Sequence, residues 1–169
     1  MSKVFCVVRA TKEKSLKDCL ASLDKLGFDY AVIKNDDSLE SKAKRTIQIG
    51  GEVVDKYDWI MAVDADVMIT KSKEWIENYC EKMNETSWFC FTAWLDCTKR
   101  GLITGLHFYR TDKCKDAYDI IKKKDFSWHK GREEYKICRL LKIDYNFFYS
   151  GGTPEESFGT HLFYINNKI

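Results

Sequence analysis

The sequence predicts an α/β fold in which helices flank a central, mostly parallel or mixed sheet. Short apolar runs at residues 4–8 and 59–63 have the length of buried strands. Amphipathic helical stretches separate the strand candidates in the first half of the chain, which is the order of βαβ units. No linker, repeat or low-complexity tract divides the 169 residues, so we predict one domain, residues 1–169.

The first half of the chain alternates strands with helices. Residues 4–8 form a continuous apolar run, typical of a strand covered on both faces. Apolar residues recur at helical spacing in residues 15–26, and Gly27 follows as a typical helix stop. Alternating apolar residues predict a second strand at 28–32, and helical spacing predicts a second helix over 40–56.

The next elements begin with the most strand-like segment, residues 59–63, which runs directly into Asp64. Helical spacing of apolar residues predicts helices at 72–83 and 111–122. Apolar and β-branched or aromatic runs predict strands at 87–93 and 102–109. The last predicted elements are a helix at 131–141 and a strand at 143–149.

Composition excludes several classes of protein. The 28 basic and 26 acidic side chains nearly cancel, so the chain lacks the overall charge of a dedicated nucleic-acid-binding protein, although a local basic patch stays open. No run of about 18 apolar residues is present, which excludes a membrane span. The first apolar run is too short for a signal peptide, and we therefore expect a cytoplasmic protein.

The seven cysteines are odd in number and form no C-x-x-C pair, so we predict buried, reduced thiols rather than disulfides or a zinc site.

Polar clusters follow three of the predicted parallel strands. They are residues 9–11, 35–37 and 64–66. Open α/β sheets bind ligands at the carboxyl ends of their strands, so we expect these clusters to form one site.

The carboxylates of Asp64 and Asp66 are two residues apart, immediately after a buried strand. In extended geometry both side chains fall on the same face. Two hard oxygen ligands at a rigid strand end suit Mn²⁺ or Mg²⁺ and leave coordination positions for substrate phosphates. Such an ion would neutralise the charge on a diphosphate leaving group.

The first 70 residues resemble glycosyltransferase family 2. The resemblance rests on Ser-Lys-Ala-Lys-Arg-Thr at 41–46, on Gly-Gly-Glu at 50–52, and on the strand that ends in Asp-Ala-Asp at 64–66. Two departures are the turn at 9–11, where the family usually has Pro-Thr-Tyr-Asn, and Thr46, where it usually has Asn. The resemblance implies a GT-A domain whose nucleotide-sugar half is residues 1–70 and whose acceptor half is residues 85–169.

The resemblance also implies roles for individual residues. Arg9, Ala10 and Thr11 would lie beside the base and ribose, and Asp36 would contact a base that is commonly uracil. Arg45 would hold the nucleotide or its phosphates. Asp64 would contact the ribose and the metal, and Asp66 would bind the metal directly. The plainer alternative for Arg9 and Arg45 is a solvated or salt-bridged surface residue.

The second half carries the candidate base. Residues 131–141 resemble the family helix whose second acidic residue removes the proton from the acceptor hydroxyl in inverting members, and Glu134 occupies that position. Glu133 is the other candidate. Acidic residues in the first turn of a helix are also stabilised by its dipole, so a structural role stays open for both. If the reaction retains anomeric configuration, no such base is needed; we favour inversion.

Two features near the end of the chain could complete the site. His161 would supply a third metal ligand, as a late histidine does in many GT-A enzymes, and the glycine-containing segment 150–156 would close over the donor as a lid. Trp94 and Asp96 would fall near the sugar or acceptor, and His107, in an apolar run, is interpreted as structural.

The predicted function is metal-dependent transfer of a sugar from a nucleotide diphosphate sugar, with UDP favoured, to an acceptor hydroxyl. Residues 122–132 interleave basic and aromatic side chains, so a hydroxylated base of DNA is an alternative acceptor, although a solvated helix end followed by a loop is the favoured explanation of the segment. A non-catalytic nucleotide-sugar or glycan-binding module is a further alternative. A nucleotidyltransferase usually has a glycine-rich loop after the first strand, and residues 9–13 contain no glycine.

Overall fold

A computed structural model of the chain describes residues 1–34, 38–83, 87–95, 102–103, 105–123, 133–150 and 159–161. At residues 39, 91, 93–95, 102–103, 146–150 and 159–161 the description is of the backbone. The predictions for Asp36, Asp96 and the segments 124–132 and 151–158 therefore lie outside the described residues.

Strands and helices alternate as the sequence predicts. The helices are α1 (Leu16–Leu26), α2 (Leu39–Glu52), α3 (Lys73–Lys82), α4 (Thr111–Ile121) and α5 (Glu133–Leu141). The strands are β1 (Val4–Ala10), β2 (Tyr30–Lys34), β3 (Trp59–Asp64), β4 (Val67–Ile69), β5 (Ser87–Leu95), β6 (Leu102–Ile103), β7 (Leu106–Arg110), β8 (Asp144–Ser150) and β9 (Gly159–His161).

Within the described residues one sheet contains seven strands, in the order β2-β1-β3-β7-β5-β6, with β8 paired to β5. β1 is parallel to both β2 and β3, and β8 is parallel to β5. β7 is antiparallel to both β3 and β5, so β5 and β8 point in the same direction as the first three strands. The sheet is mostly parallel, and the fold-class prediction is confirmed.

The two faces of the sheet bury two separate apolar clusters. One face packs on α1 and α3, with Cys19, Leu23 and Ile76 against alternate residues of β1 and β3. The other face packs on α2, α4 and α5. Because side chains alternate along a strand, every second residue of β1 and β3 points to the second face, and that alternation places Arg9 and Asp64 there.

The structure differs from the sequence prediction at several boundaries. The helix expected over 40–56 ends at Glu52, and residues 53–56 form turns. The strand expected over 102–109 is two strands, β6 and β7, on either side of Gly105. The short pair β4 and β9 has no counterpart in the prediction, because three-residue strands carry no periodic signal of their own.

Local signals explain the ends that were predicted correctly. Gly27 ends α1 in the left-handed conformation, at a φ of 75° that favours glycine. Ser72 begins α3 with its hydroxyl accepting a hydrogen bond from the Trp75 backbone N–H at 3.2 Å. The six described cysteines are free and buried, as predicted, and Cys97 lies outside the described residues. No helix in the described part of the chain is both long and apolar enough to cross a membrane.

Candidate active site

The carboxyl ends of β1 and β3 meet, and the two aspartates lie where they meet. Arg9 of β1 is in register with Asp64 of β3. The chain then turns through residues 64–66, which we call the 64–66 turn, before β4 begins at Val67. The sequence prediction that Asp64 and Asp66 follow a buried strand at this edge is confirmed.

The backbone of the 64–66 turn is held from several sides. The Asp64 N–H donates to the Gly105 carbonyl at 2.8 Å, and the Ala65 N–H donates to the Arg9 carbonyl at 3.1 Å. From α1 and the residue before it, the Ser15 hydroxyl donates to the Ala65 carbonyl at 3.0 Å, and the Cys19 thiol lies 3.9 Å from the Asp64 carbonyl. These contacts hold the backbone of Asp64 and Ala65.

Arg9 forms a buried ion pair with Asp64. Its Nε and Nη2 lie 2.9 and 2.8 Å from Asp64 Oδ1. The Arg9 side chain is 5% exposed, whereas the Asp64 side chain is 38% exposed. Burial raises the pKa of Asp64, and the positive charges of Arg9 and Lys42 oppose that rise. Both Arg9 contacts are to Oδ1, so Asp64 Oδ2 is the oxygen that Arg9 leaves for a ligand.

Gly105 lies against Asp64 Oδ2. A Cβ at this position would be 3.0 Å from Asp64 Oδ2 and 3.0 Å from Val67 Cγ2. Both distances are shorter than ordinary van der Waals contact, so a side chain here would displace the carboxylate or the start of β4. No local pattern in the sequence distinguishes a glycine that packs against a distant carboxylate, so Gly105 could not be predicted.

We expect Gly105→Ala to lower the free energy of unfolding by about 1–3 kcal/mol, as overpacking does, and to weaken metal-dependent nucleotide binding. Gly51→Ala is the matched control, since its Cβ would be 3.4 Å from its nearest neighbour and alanine favours a helix. Thermal melts of both variants measure the change in stability, and nucleotide titrations measure the change in metal-dependent affinity. Wild-type nucleotide affinity in folded Gly105→Ala would show that the close approach to Asp64 is unimportant.

Residues 9–11 are exposed to different degrees. Ala10 is completely buried on the α1 face, and the Arg9 guanidinium lies beneath the surface against Asp64. Thr11 is exposed at the end of β1. A ligand at this edge would therefore meet Thr11, whereas Ala10 lies beneath the surface.

Two basic residues of α2, Arg45 and Lys42, differ in exposure and partners. Arg45, predicted to hold the nucleotide, has a side chain that is 45% exposed and pairs with Glu52 at 2.8 Å. Lys42 is 8% exposed, and its ammonium donates to the Thr11 hydroxyl. Lys42 was not among the predicted site residues. It lies one helical turn before the buried Thr46 and so falls on the inward face of α2.

Glu134 reaches the same face of the sheet from α5. The Tyr109 hydroxyl donates to Glu134 Oε1 at 3.1 Å. Burial raises the pKa of Glu134, while the Tyr109 hydrogen bond and the charge of Arg9 lower it. Glu133 is more deeply buried, at 3% exposure. Arg9 is thus close enough to influence Asp64 and Glu134 electrostatically, and it links the two predicted halves of the site.

His107 lies on β7 on this same face, in register with Ala62. Burial and the charge of Arg9 lower the pKa of His107 to about 3, so the ring is neutral. It packs against Phe89 with ring centroids 5.7 Å apart. These contacts agree with the structural interpretation of His107.

β9 returns the chain to the 64–66 turn. It pairs antiparallel with β4, and the backbone of His161 lies opposite Val67, next to Asp66. Among the side chains that the structure describes, which do not include His161, no group of three or more His, Cys, Asp or Glu residues is placed to hold a metal ion. The carboxylates of Asp64 and of the partly exposed Asp66 supply the type of oxygen ligand that a hard divalent cation prefers.

Comparison with known proteins places the fold. No protein-family model matches the chain, and no curated protein matches it by sequence. A glycosyltransferase involved in glycosylation of the major capsid of PBCV-1 aligns with a TM-score of 0.58 and 11% identity, covering 95% of this chain and 93% of that one.

Two further solved structures are similar over most of their length. A protein of Desulfovibrio desulfuricans assigned as a nucleotide-diphospho-sugar transferase has a TM-score of 0.54 and 12% identity, covering 89% of this chain and 81% of that one. The 4-diphosphocytidyl-2C-methyl-D-erythritol synthase of Anaerococcus prevotii has a TM-score of 0.59 and 8% identity, covering 99% of this chain and 96% of that one. This chain has the GT-A-like fold of the nucleotide-diphospho-sugar transferases.

Proposed function

We propose that this protein is a glycosyltransferase that moves a sugar from a nucleotide diphosphate sugar, with UDP as the favoured nucleotide, to an acceptor hydroxyl. The observation that carries the proposal is the pair Asp64 and Asp66, held in a fixed turn at the carboxyl edge of the sheet. This is the edge at which open α/β sheets bind ligands. The fold, which is common to glycosyl- and nucleotidyltransferases, supports the same class of chemistry.

In the proposed reaction the acceptor oxygen forms a bond to the anomeric carbon of the sugar. The bond from that carbon to the diphosphate breaks, and the nucleoside diphosphate leaves with the electron pair. Asp64 and Asp66 would hold Mn²⁺ or Mg²⁺, with His161 as third ligand, and the ion would neutralise charge on the diphosphate. Arg9 orients Asp64 through the two contacts at 2.9 and 2.8 Å. Burial raises the pKa of Asp64, and the charge of Arg9 opposes that rise.

Glu134 is the proposed base of an inverting reaction. Its carboxylate would take the proton of the acceptor hydroxyl as the new bond forms, which requires that it be ionised and within hydrogen-bond reach. The Tyr109 hydroxyl holds Glu134 Oε1 at 3.1 Å and fixes its orientation. Glu133 is the weaker candidate because its side chain is buried.

We place the activity in a reducing compartment such as the cytoplasm. Six described cysteines are buried free thiols, which is the usual state of cysteines in reducing compartments.

The first test is a thermal-shift measurement of the purified protein against nucleotides and nucleotide sugars, with Mn²⁺ and with chelator. A ligand at ~100 times its dissociation constant adds about 2.7 kcal/mol, which raises the melting temperature by several degrees. We expect a Mn²⁺-dependent rise with at least one nucleotide diphosphate sugar. A folded protein that responds to none of them would contradict the proposal.

Nucleotidyl transfer is the second candidate, since the fold is equally similar to that of a diphosphocytidyl-methylerythritol synthase. The connection from β1 to α1, residues 11–15, contains no glycine, so it lacks the flexible phosphate-cradling loop typical of that chemistry. The reaction products separate the two candidates. Sugar transfer releases a nucleoside diphosphate, whereas nucleotidyl transfer from a nucleoside triphosphate releases pyrophosphate. Binding without either product would favour a non-catalytic module.

A further inference from the structure

Two basic side chains are buried among those that the structure describes: one contacts Asp64 in the 64–66 turn, and the other contacts Thr11 at the end of the neighbouring strand β1. They are Arg9, 6% exposed, and Lys42, 8% exposed. Burying a cation is costly, so it occurs where a partner or a ligand compensates for the lost hydration. The convergence of both cations on one edge of the sheet therefore requires an explanation.

Arg9 is explained by its neighbours. Its guanidinium contacts Asp64 Oδ1 twice, and its charge also influences the hydroxyl of Tyr109 and the carboxylate of Glu134. The Arg9 side chain is 5% exposed, so its charge stabilises the carboxylates of Asp64 and Glu134 from within the protein and is not available to a ligand.

Lys42 is held differently. Its ammonium extends from the inward face of α2 across to β1, where it donates to the hydroxyl of the exposed residue Thr11. Burial raises the pKa of Asp64, and the charge of Lys42 opposes that rise, so the ammonium lies within electrostatic reach of that carboxylate. An ammonium carries three N–H donors, and the Thr11 contact uses one.

We propose that Lys42 binds the phosphate oxygens of the donor nucleotide, and that Lys42 rather than Arg45 supplies the cation of the donor site. This inference rests on the proposed function and names one residue of the same site. Asp64 and Asp66 add negative charge to the edge, so a basic side chain close to it favours diphosphate binding in addition to the metal ion. The Lys42 ammonium lies at Thr11, at the end of β1, whereas Arg45 is exposed and pairs with Glu52 at 2.8 Å.

The chemistry of the two side chains agrees with this assignment. A lysine ammonium is a compact point charge that binds phosphate oxygens well and reaches them on a flexible stem. Lys42 has low exposure, so part of the free-energy cost of ordering and dehydrating its side chain is already met when the protein folds. A phosphate that binds Lys42 therefore gains more binding free energy from the contact. The Thr11 hydroxyl orients the ammonium at the end of β1, beside the 64–66 turn.

The test is calorimetric titration of UDP and of uridine, with Mn²⁺ present, into wild type, Lys42→Gln, Arg45→Gln and Lys44→Gln. We expect Lys42→Gln to weaken UDP binding by about tenfold or more, the loss of a hydrogen bond between charged groups. Uridine, which has no phosphate, should lose less than about threefold. Lys44→Gln is the matched control, because it removes the same charge from the same helix at a residue that pairs with Glu40.

The outcomes separate the two proposals. UDP affinity that falls in Lys42→Gln, with Arg45→Gln and Lys44→Gln near wild type, supports the inference. Wild-type UDP affinity in Lys42→Gln, or a larger loss in Arg45→Gln, overturns it and leaves the proposed function intact. Failure of the wild-type protein to bind UDP or any other nucleoside diphosphate overturns the proposed function itself. If Lys42→Gln does not fold, Lys42→Met, which keeps the buried stem without the charge, takes its place.

Discussion

Replacing Asp66 with alanine should lower Mn²⁺-dependent nucleotide affinity by more than about 100-fold. Loss of an outer-shell partner of a metal typically costs 10- to 100-fold, and loss of a direct ligand costs at least as much. Asp66 is the more informative of the two aspartates because Asp64 has a second role. Removing Asp64 would leave Arg9 buried without its ion pair, so any loss of binding would be mixed with a loss of stability.

Asp66→Ala should not destabilise the protein when no metal is present. Burial raises the pKa of Asp64, the like charge of Asp66 adds to that rise, and removing Asp66 relieves the repulsion. Asp55→Ala is the matched control, since Asp55 is exposed in the turn that follows α2. Isothermal titration of nucleotide with Mn²⁺ and with chelator, together with thermal melts, makes the measurement. Metal-dependent affinity that survives in Asp66→Ala would remove this residue from the site.

Replacing Glu134 with glutamine should reduce sugar transfer by about 10²- to 10⁴-fold while sparing donor binding, as expected for loss of a general base. Glutamine has the same shape, and its side-chain carbonyl can still accept the Tyr109 hydrogen bond. The kinetic measurement separates kcat from KM for the donor. Glu133→Gln, measured in the same assay, shows which of the two acidic residues is the general base. Near-normal turnover in Glu134→Gln would indicate a retaining reaction in which Glu134 is structural.

Stability distinguishes a catalytic Glu134 from one kept for folding. Burial raises the pKa of Glu134 above its ordinary value, so the folded state holds the proton more tightly than the unfolded state does. Ionising Glu134 as the pH rises through its folded pKa therefore lowers the stability of the protein. Glu134→Gln should accordingly be no less stable than wild type at pH 7. A clear drop in melting temperature would show that the carboxylate stabilises the fold.

The same pKa shift sets the pH dependence of transfer. Since the base must be ionised, activity should rise with pH through the folded pKa of Glu134, above the range of an ordinary glutamate. The Tyr109 hydrogen bond lowers the pKa of Glu134, so Tyr109→Phe should move this acidic limb to still higher pH. A pH–rate profile whose acidic limb does not move in Tyr109→Phe would separate Tyr109 from the base.

The first half of the site could be predicted from sequence because its signals are local. Five apolar residues followed by Asp64 predict a buried strand that ends in a carboxylate, and the alternation of strands with helices predicts a parallel neighbour. Parallel strands bring their carboxyl ends to one edge, so the meeting of residues 9–11 with the 64–66 turn follows from topology. The position of Gly27 as a helix stop is equally local.

Other features of the site depend on contacts between residues far apart in the chain. The Arg9 and Asp64 pair joins residues 55 apart, and the Lys42 and Thr11 contact joins residues 31 apart. A sequence pattern indicates which face of a helix is apolar, but it does not show which carboxylate a cation on that face will meet. Arg45 and Lys42 look equally basic in sequence, and the packing of α2 on the sheet buries Lys42 and leaves Arg45 exposed.

The sequence by itself determined the fold class, the order of the main elements and the place of the two aspartates. Each of these follows from the period of apolar residues or from a residue at a strand end. The tertiary structure decided that β7 runs antiparallel, that β9 returns His161 to the 64–66 turn, and that Gly105 packs against Asp64. The physical reason is range: apolar periodicity acts within a few residues, whereas charge pairing, strand direction and close packing are settled only when distant segments meet.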